Sequence, residues 1–181
     1  MNQILIFLIF FSTFSNVTAQ AISDSTKTTV PISIKAGVKF SEDYFYRSTT
    51  FGFASNVSLK LDIGRSWYLV PTFTLWHSNY KYIDLNHKNV TVTTFTGIVS
   101  YEHKLSLFSI MPKVGMGFGN STESNKKLLV LIYGAALSYF YEKNINIQLD
   151  LLKQHSAAFD LGGSGPSFNV LLLMIGIEFE L

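Results

Sequence analysis

From Phe168 to Leu181 the side chains alternate in kind. Leu171, Leu173, Ile175, Ile177, Phe179 and Leu181 form one row, and Leu172, Met174, Gly176, Glu178 and Glu180 form the other. Successive side chains of a strand point to opposite faces, so this stretch has one apolar face and one mixed, charged face. An apolar strand left bare at an edge templates aggregation. Pairing it with the first strand of the same sheet removes the edge, so a closed barrel is expected, with this stretch as the closing strand beside Ile32–Phe40.

The same alternation recurs along the chain. Ile32–Phe40, Phe51–Ile63, Trp67–Tyr80, Val90–Glu102, Leu107–Gly119, Leu128–Tyr141 and Ile145–His155 bring the count to eight segments. Seven of the eight can be phased. Val90–Glu102 is strand-like by its Val and Thr content, but its two faces are alike and its phase stays open. The connections alternate in length: Ser41–Thr50, Lys81–Asn89, Asn120–Lys127 and Ala158–Ser167 are long, whereas Gly64-Arg65-Ser66, His103–Ser106 and Glu142-Lys143-Asn144 are short. Outer-membrane barrels have an even strand count, short periplasmic turns and longer extracellular loops. The expected fold is all-β, a closed eight-stranded antiparallel transmembrane barrel of up-and-down meander type over residues 32–181.

Composition agrees with a membrane strand protein. Charged residues are 14% of the 181-residue chain, against about 25% in soluble domains. Aromatics reach 15%, yet beyond the first twenty residues no apolar run approaches the length of a helical span, about 20 residues. The net charge of +2 is too small to favour nucleic acid. With no cysteine, disulfides, thiolate nucleophiles, thiolate metal sites and a lipidated N-terminal Cys are excluded. Ile4–Phe14 is apolar and Val17-Thr18-Ala19 follows, which predicts a secretory signal cleaved after Ala19, although Met1-Asn2-Gln3 lacks the usual basic residue. Residues 20–31 read as a polar, flexible lead-in.

Alternation alone does not say which face is outside. A secreted lipocalin-like barrel would turn the apolar row inward. Lipid on the outside is favoured by aromatics near the segment ends: Trp67, Tyr101, Phe108, Tyr139, Tyr141 and Phe179 near the turns, and Phe40, Phe51, Phe53, Trp76, Tyr80, Phe118 and Phe168 near the loops. Such residues match two interfacial girdles. The opposite row is rich in Gly, Ala and Ser, which suits the narrow interior of an eight-stranded barrel. The inward charges are then expected to be Lys35, Lys39, Lys60, Asp62, Lys113, Asp150, Glu178 and Glu180, paired or hydrated, in a lumen that is polar but filled and has no wide pore.

Three stretches carry a family resemblance: Trp67-Tyr68-Leu69-Val70-Pro71-Thr72-Phe73, Ser109–Gly119 with its alternating glycines, and Ile175-Gly176-Ile177-Glu178-Phe179-Glu180-Leu181. In these the chain resembles the outer-membrane β-barrel proteins of Bacteroidetes-type bacteria, themselves similar to small OmpA/OmpX-like barrels. The resemblance implies a Gram-negative cell outer membrane location, contact with outer-membrane lipid and lipopolysaccharide, and insertion by the barrel-assembly machinery. It says little about a ligand. Leu181 stands where an aromatic is more usual. Pro71 and Pro112 each remove a ladder hydrogen bond, and a barrel has no edge on which to hide that loss; a bulge or interfacial water is expected beside each.

The enzymatic alternative is a lipid A-modifying protein. His155-Ser156, followed by a Gly/Pro-containing loop and Asn169, resembles the C-terminal end of lipid A 3-O-deacylases, which place His and Ser two apart on one strand face. Here the two are adjacent and position 157 is Ala, so on a regular strand the base and hydroxyl face apart. His77-Ser78 has the same defect. The four histidines, His77, His87, His103 and His155, lack metal-ligand spacing, and no cofactor is implied. The leading expectation is a non-enzymatic barrel interacting through its exposed loops. Tyr44, Phe45 and Tyr46 make the first loop the stickiest, and Lys81–Asn89 is the second candidate.

Overall fold

The computed structural model describes residues 30–43, 48–81, 87–122, 124–142, 144–158 and 167–180. The signal segment 1–19, the lead-in up to residue 29, Tyr44–Tyr46, the Gly-rich run 162–165 and Leu181 lie outside the described residues.

Ten strand segments make eight staves. They are β1 (Pro31–Asp43), β2 (Ser48–Leu59) with β3 (Leu61–Gly64), β4 (Trp67–Lys81), β5 (His87–Tyr101) with β6 (His103–Leu105), β7 (Phe108–Ser121), β8 (Ser124–Glu142), β9 (Ile145–Ala158) and β10 (Ser167–Glu180). Each stave pairs antiparallel with its sequence neighbours, and the β1–β10 ladder closes the ring from Pro31↔Glu180 to Ser41↔Val170. The terminal segment is thus the closing stave, and the fold is a closed eight-stranded antiparallel barrel.

The apolar row faces out. Ile34, Val57, Phe73, Val114, Met116, Leu131, Leu149, Ile175 and Ile177 are exposed on the outer surface, while Lys35, Asn56, Thr72, Lys113, Gln148, Asp150 and Glu178 are buried inside. A soluble lipocalin-like barrel needs the reverse arrangement. The stave whose phase was open resolves cleanly: Val90, Val92, Thr94, Thr96, Ile98 and Ser100 point inward and Phe95, Gly97 and Val99 outward.

Strands run further into the expected loops than alternation indicated. β1 continues to Asp43 and β2 starts at Ser48; β4 runs to Lys81 and β5 starts at His87. The expected long loop Asn120–Lys127 is instead a tight hairpin, because Asn120 pairs with Lys127 and Ser121 with Ser124. Polar residues there do not break the ladder, since both strands continue past the apolar belt. At the opposite end, Gly64, Arg65 and Ser66 have φ of 97°, 55° and 64°. Asp62 Oδ1 accepts the Gly64 N–H at 2.7 Å, an Asx-type contact that supports the turn. Asp62 is therefore a solvent-exposed turn residue and not an inward charge.

Both prolines sit at the two places where a stave is interrupted. The Lys60 N–H bonds to the Pro31 carbonyl on β1, so Leu59 directs its backbone toward β4, and the register Ser58↔Thr72 and Leu61↔Leu69 puts Pro71 opposite it. Pro71 has no N–H to give, and the ladder opens there. In the same way the Glu102 N–H bonds to the Ser66 carbonyl, and the register Ser100↔Lys113 and His103↔Ile110 puts Pro112 opposite Tyr101. The pairing resumes in unchanged register after each gap, so the missing bond is met by a local opening. Of the bulge or interfacial water expected, no bulge forms at the gap itself, and the β3–β4 ladder shifts only further on, between Asp62 and Gly64.

Candidate functional site: the filled lumen and the edge of the belt

The turn-side half of the lumen is a charge network. Asp150 bridges two lysines: Lys35 Nζ lies 3.0 Å from Oδ2, and Lys113 Nζ lies 3.2 and 3.1 Å from the two oxygens. Below it, Lys60 Nζ is 3.4 Å from Glu102 and 3.7 Å from Glu178, and stands 4.3 Å over the Tyr68 ring. Glu178 also accepts from Asn146 at 3.2 Å and Gln148 at 2.7 Å. Lys60 and Glu102 are the residues at the two proline-opposed gaps. The void beside these groups, lined among others by Lys35, Lys60, Lys113 and Glu178, is about 10 Å³, room for roughly one water.

The loop-side half holds an apolar cluster beside buried Lys39, Ser78, Gln154 and Ser156, so the expected polar lumen is only partly polar there. Trp76 and Phe168 meet edge-to-face at 5.4 Å, surrounded by buried Val90, Leu128, Val130, Leu152, Val170 and Leu172. The Lys39 ammonium lies 4.7 Å over the Trp76 ring. Trp76 and Phe168 are therefore a lumen plug and not members of the loop-side girdle: they fall on the inward row, and their position near the strand end says nothing about face. Outer aromatics do pair near both ends, Phe40–Phe51 at 5.1 Å on the loop side, and Trp67–Tyr101 at 5.1 Å and Phe108–Tyr139 at 5.2 Å on the turn side.

Of the eight expected inward charges, Lys35, Lys39, Lys60, Lys113, Asp150 and Glu178 line the lumen. Asp62 and Glu180 are exposed, because both lie at the turn-side rim where the pleat no longer encloses its inner row. Glu102 was missed. Its signal was the buried cationic partner two staves away, legible only once Val90–Glu102 is phased.

His155 and Ser156 lie on opposite faces. Ser156 is buried in the lumen and its Oγ accepts from Gln154 Nε2 at 2.9 Å. His155 is on the outer face, where Nε2 is 3.2 Å from the Tyr133 hydroxyl and the rings stack at 5.7 Å. His77 and Ser78 divide likewise: His77 Nδ1 contacts Thr91 Oγ1 at 2.8 Å, and Ser78 Oγ donates to the Phe51 carbonyl at 3.1 Å. Neither histidine meets its neighbouring serine.

Among solved structures the chain is similar to Neisserial surface protein A, with TM-score 0.65, 9% identity and coverage of 84% of this chain and 97% of that one. It is similar to Ail, the attachment invasion locus protein of Yersinia pestis, with TM-score 0.56, 16% identity and coverage of 86% and 100%. The outer membrane enzyme PagL follows with TM-score 0.55, 11% identity and coverage of 81% and 97%. At these identities the likeness is one of fold, that of the small outer-membrane barrels. No protein-family model matches the chain, and no curated protein matches it in sequence.

Proposed function

We propose that the chain is an integral outer-membrane barrel of Gram-negative type that acts through its loop-side surface, in adhesion or ligand interaction, and neither conducts through a wide pore nor catalyses a reaction. The observation that carries this reading is the inverted barrel: an apolar belt outside and a lumen closed by the Asp150 network below and by Trp76 and Phe168 above. A side-chain-filled lumen leaves the loop end and the belt as the working surfaces. The likeness to a protein named for attachment fits that use of the loops. Export by the N-terminal segment and insertion by the barrel-assembly machinery belong to the same reading. The first test is alkaline carbonate extraction of membranes from a Gram-negative host. Retention in the pellet, with a folded band that shifts on heating, is expected; complete release would sink the membrane reading.

The second reading, a lipid A-modifying enzyme, draws on the fold likeness to PagL and on His155 at the outer edge of the belt. The division of His155 and Ser156 between two faces weighs against it, since a general base must reach the proton it takes. Mass spectrometry of lipid A from expressing cells is expected to show unchanged acylation. Loss of one acyl chain that is abolished in His155→Ala would overturn the preference.

A further inference from the structure

The outer row of β9 is apolar from Ile145 through Leu151 and then turns polar at Lys153 and His155. On the adjoining staves, register sets Tyr133 opposite Lys153 and Asn169 opposite His155. Four polar side chains from three staves thus share one patch of the outer face, which is otherwise lined by Leu171, Leu173, Leu149 and Leu151. Counting from Ile145 at ~3.3 Å per residue and ~40° tilt puts Lys153 about 20 Å above the turn-side rim. That is near the far edge of an apolar band about 25 Å tall, within snorkelling reach of headgroups.

The chemistry of the patch is specific. Lys153 supplies a cation and makes no ion pair among the described residues. In the Tyr133–His155 contact, either the phenol donates to Nε2, leaving an Nδ1–H, or Nε2–H donates to the phenol, leaving its O–H. In both cases one further donor is left over on this outer-face pair. Asn169 Oδ1 is buried and has no hydrogen-bond partner among the described residues, so it calls for a donor. Cation and donor suit a phosphate; an unpartnered acceptor does not, but suits a hydroxyl beside that phosphate. Across the barrel the contrast is one of spacing: His77 meets Thr91 at a comparable place on β4 and β5, but the lysine of its row, Lys81, stands four places on and not two.

We infer that Lys153, His155, Tyr133 and Asn169 form a binding site on the outer face of β8–β10 for the phosphorylated sugar headgroup of an outer-leaflet glycolipid. The inference rests on the outer-membrane reading above. Lys153 and the Tyr133–His155 pair hold the phosphate by charge-assisted hydrogen bonds, and Asn169 accepts from a sugar hydroxyl.

The test uses the full chain in detergent micelles, titrated in native mass spectrometry with bis-phosphorylated lipid A, with lipid A stripped of phosphate, and with phosphatidylglycerol. Phosphorylated lipid A is expected to be retained about ten- to hundredfold better than the stripped form. Lys153→Ala should erase that preference, Lys153→Arg should keep it, and His77→Ala should leave it unchanged. A folded-band mobility check on each variant separates loss of site from loss of barrel. Equal retention of both lipid A forms, or a preference that survives Lys153→Ala, would overturn the site. Phosphatidylglycerol held as tightly as lipid A would overturn the glycolipid assignment. Wild-type protein that stays in carbonate-washed membranes without a phosphate preference removes only the site; release from those membranes removes the membrane reading itself.

Discussion

Asp150→Asn isolates the energetic centre of the lumen. The carboxylate holds Lys35 and Lys113 at once, and the three side chains are 1%, 2% and 6% exposed. Removing one partner of a buried ion pair costs about 3–5 kcal/mol, because the remaining charge stays buried without a counter-ion. Here two ammonium groups are stranded. The adjoining void of about 10 Å³ admits roughly one water, so hydration does not replace the carboxylate for both. The asparagine oxygen still accepts from one lysine, which places the loss at about 3–4 kcal/mol, or two to three orders of magnitude in the folded-to-unfolded ratio. The assay is urea unfolding in phospholipid vesicles, read by heat-modifiable mobility and by fluorescence of Trp67 and Trp76. Two comparisons guard the interpretation. The triple variant Lys35→Met, Lys113→Met, Asp150→Leu should be near neutral or more stable, as apolar replacements of buried ionic triads are. In the background lacking both lysines, Asp150→Asn should cost far less than in wild type. A cost below about 1 kcal/mol in wild type, or the same cost in both backgrounds, refutes the claim that the three groups act as one buried unit.

The ladder and the glycine row allow further predictions. Pro71→Ala restores the N–H opposite Leu59. A recovered ladder bond of about 0.5–1.5 kcal/mol offsets about 0.4–1 kcal/mol of lost chain stiffening, so the urea midpoint should barely move. The new amide at position 71 should resist hydrogen exchange, and rapid exchange would show that the gap has another cause. Gly117→Ala should destabilise by about 1–3 kcal/mol, because its Cβ falls on the Phe95 carbonyl and crowds the Thr96 backbone. Gly97→Ala, which meets open space on the outer face, should stay within about 0.5 kcal/mol. Equal urea midpoints for these two variants would contradict the inward crowding of β7.

Where one row of a stave is apolar and the other is not, the sequence alone placed both faces. β7 shows this: Phe108, Ile110, Val114, Met116 and Phe118 are all outside, and Lys113 with Gly115, Gly117 and Gly119 is inside. β5 resisted because Val and Thr occur on both rows, and only pairing with phased neighbours orients it. Trp76 and Phe168 misled for a related reason. Both sit at strand ends, where girdle aromatics belong, but on the inward row, and row outranks height in deciding what a side chain touches. Along the inner row as a whole, Gly, Ala, Ser and Lys read as a polar lumen. Leu128, Val130, Leu152, Val170 and Leu172 gather only in its upper part, through register between β8, β9 and β10. Of the outer patch, His155 and Asn169 already stand together in the resemblance to lipid A 3-O-deacylases, whereas Lys153 and Tyr133 join them only through register between β8, β9 and β10. Lys153 and His155 share one row of β9, but Tyr133 and Asn169 come from its two neighbours, and no spacing within one stave brings in all four.

The prolines connect the backbone of the barrel to the charges inside it. Trp67-Tyr68-Leu69-Val70-Pro71 and Phe108-Ser109-Ile110-Met111-Pro112 repeat one plan: an aromatic opens the stave and proline follows four places on. Each opening aromatic meets an outer ring across a ladder, Trp67 with Tyr101 and Phe108 with Tyr139. Each proline opens the preceding ladder at an inward charge, Lys60 in one case and Glu102 in the other. These two charges are mutual partners at 3.4 Å. Loss of a ladder bond in a closed barrel is costly wherever it falls. Both losses fall beside the same interior ion pair, so the gaps in β2–β3 and β5–β6, each opposite a proline, meet across the lumen at Lys60 and Glu102.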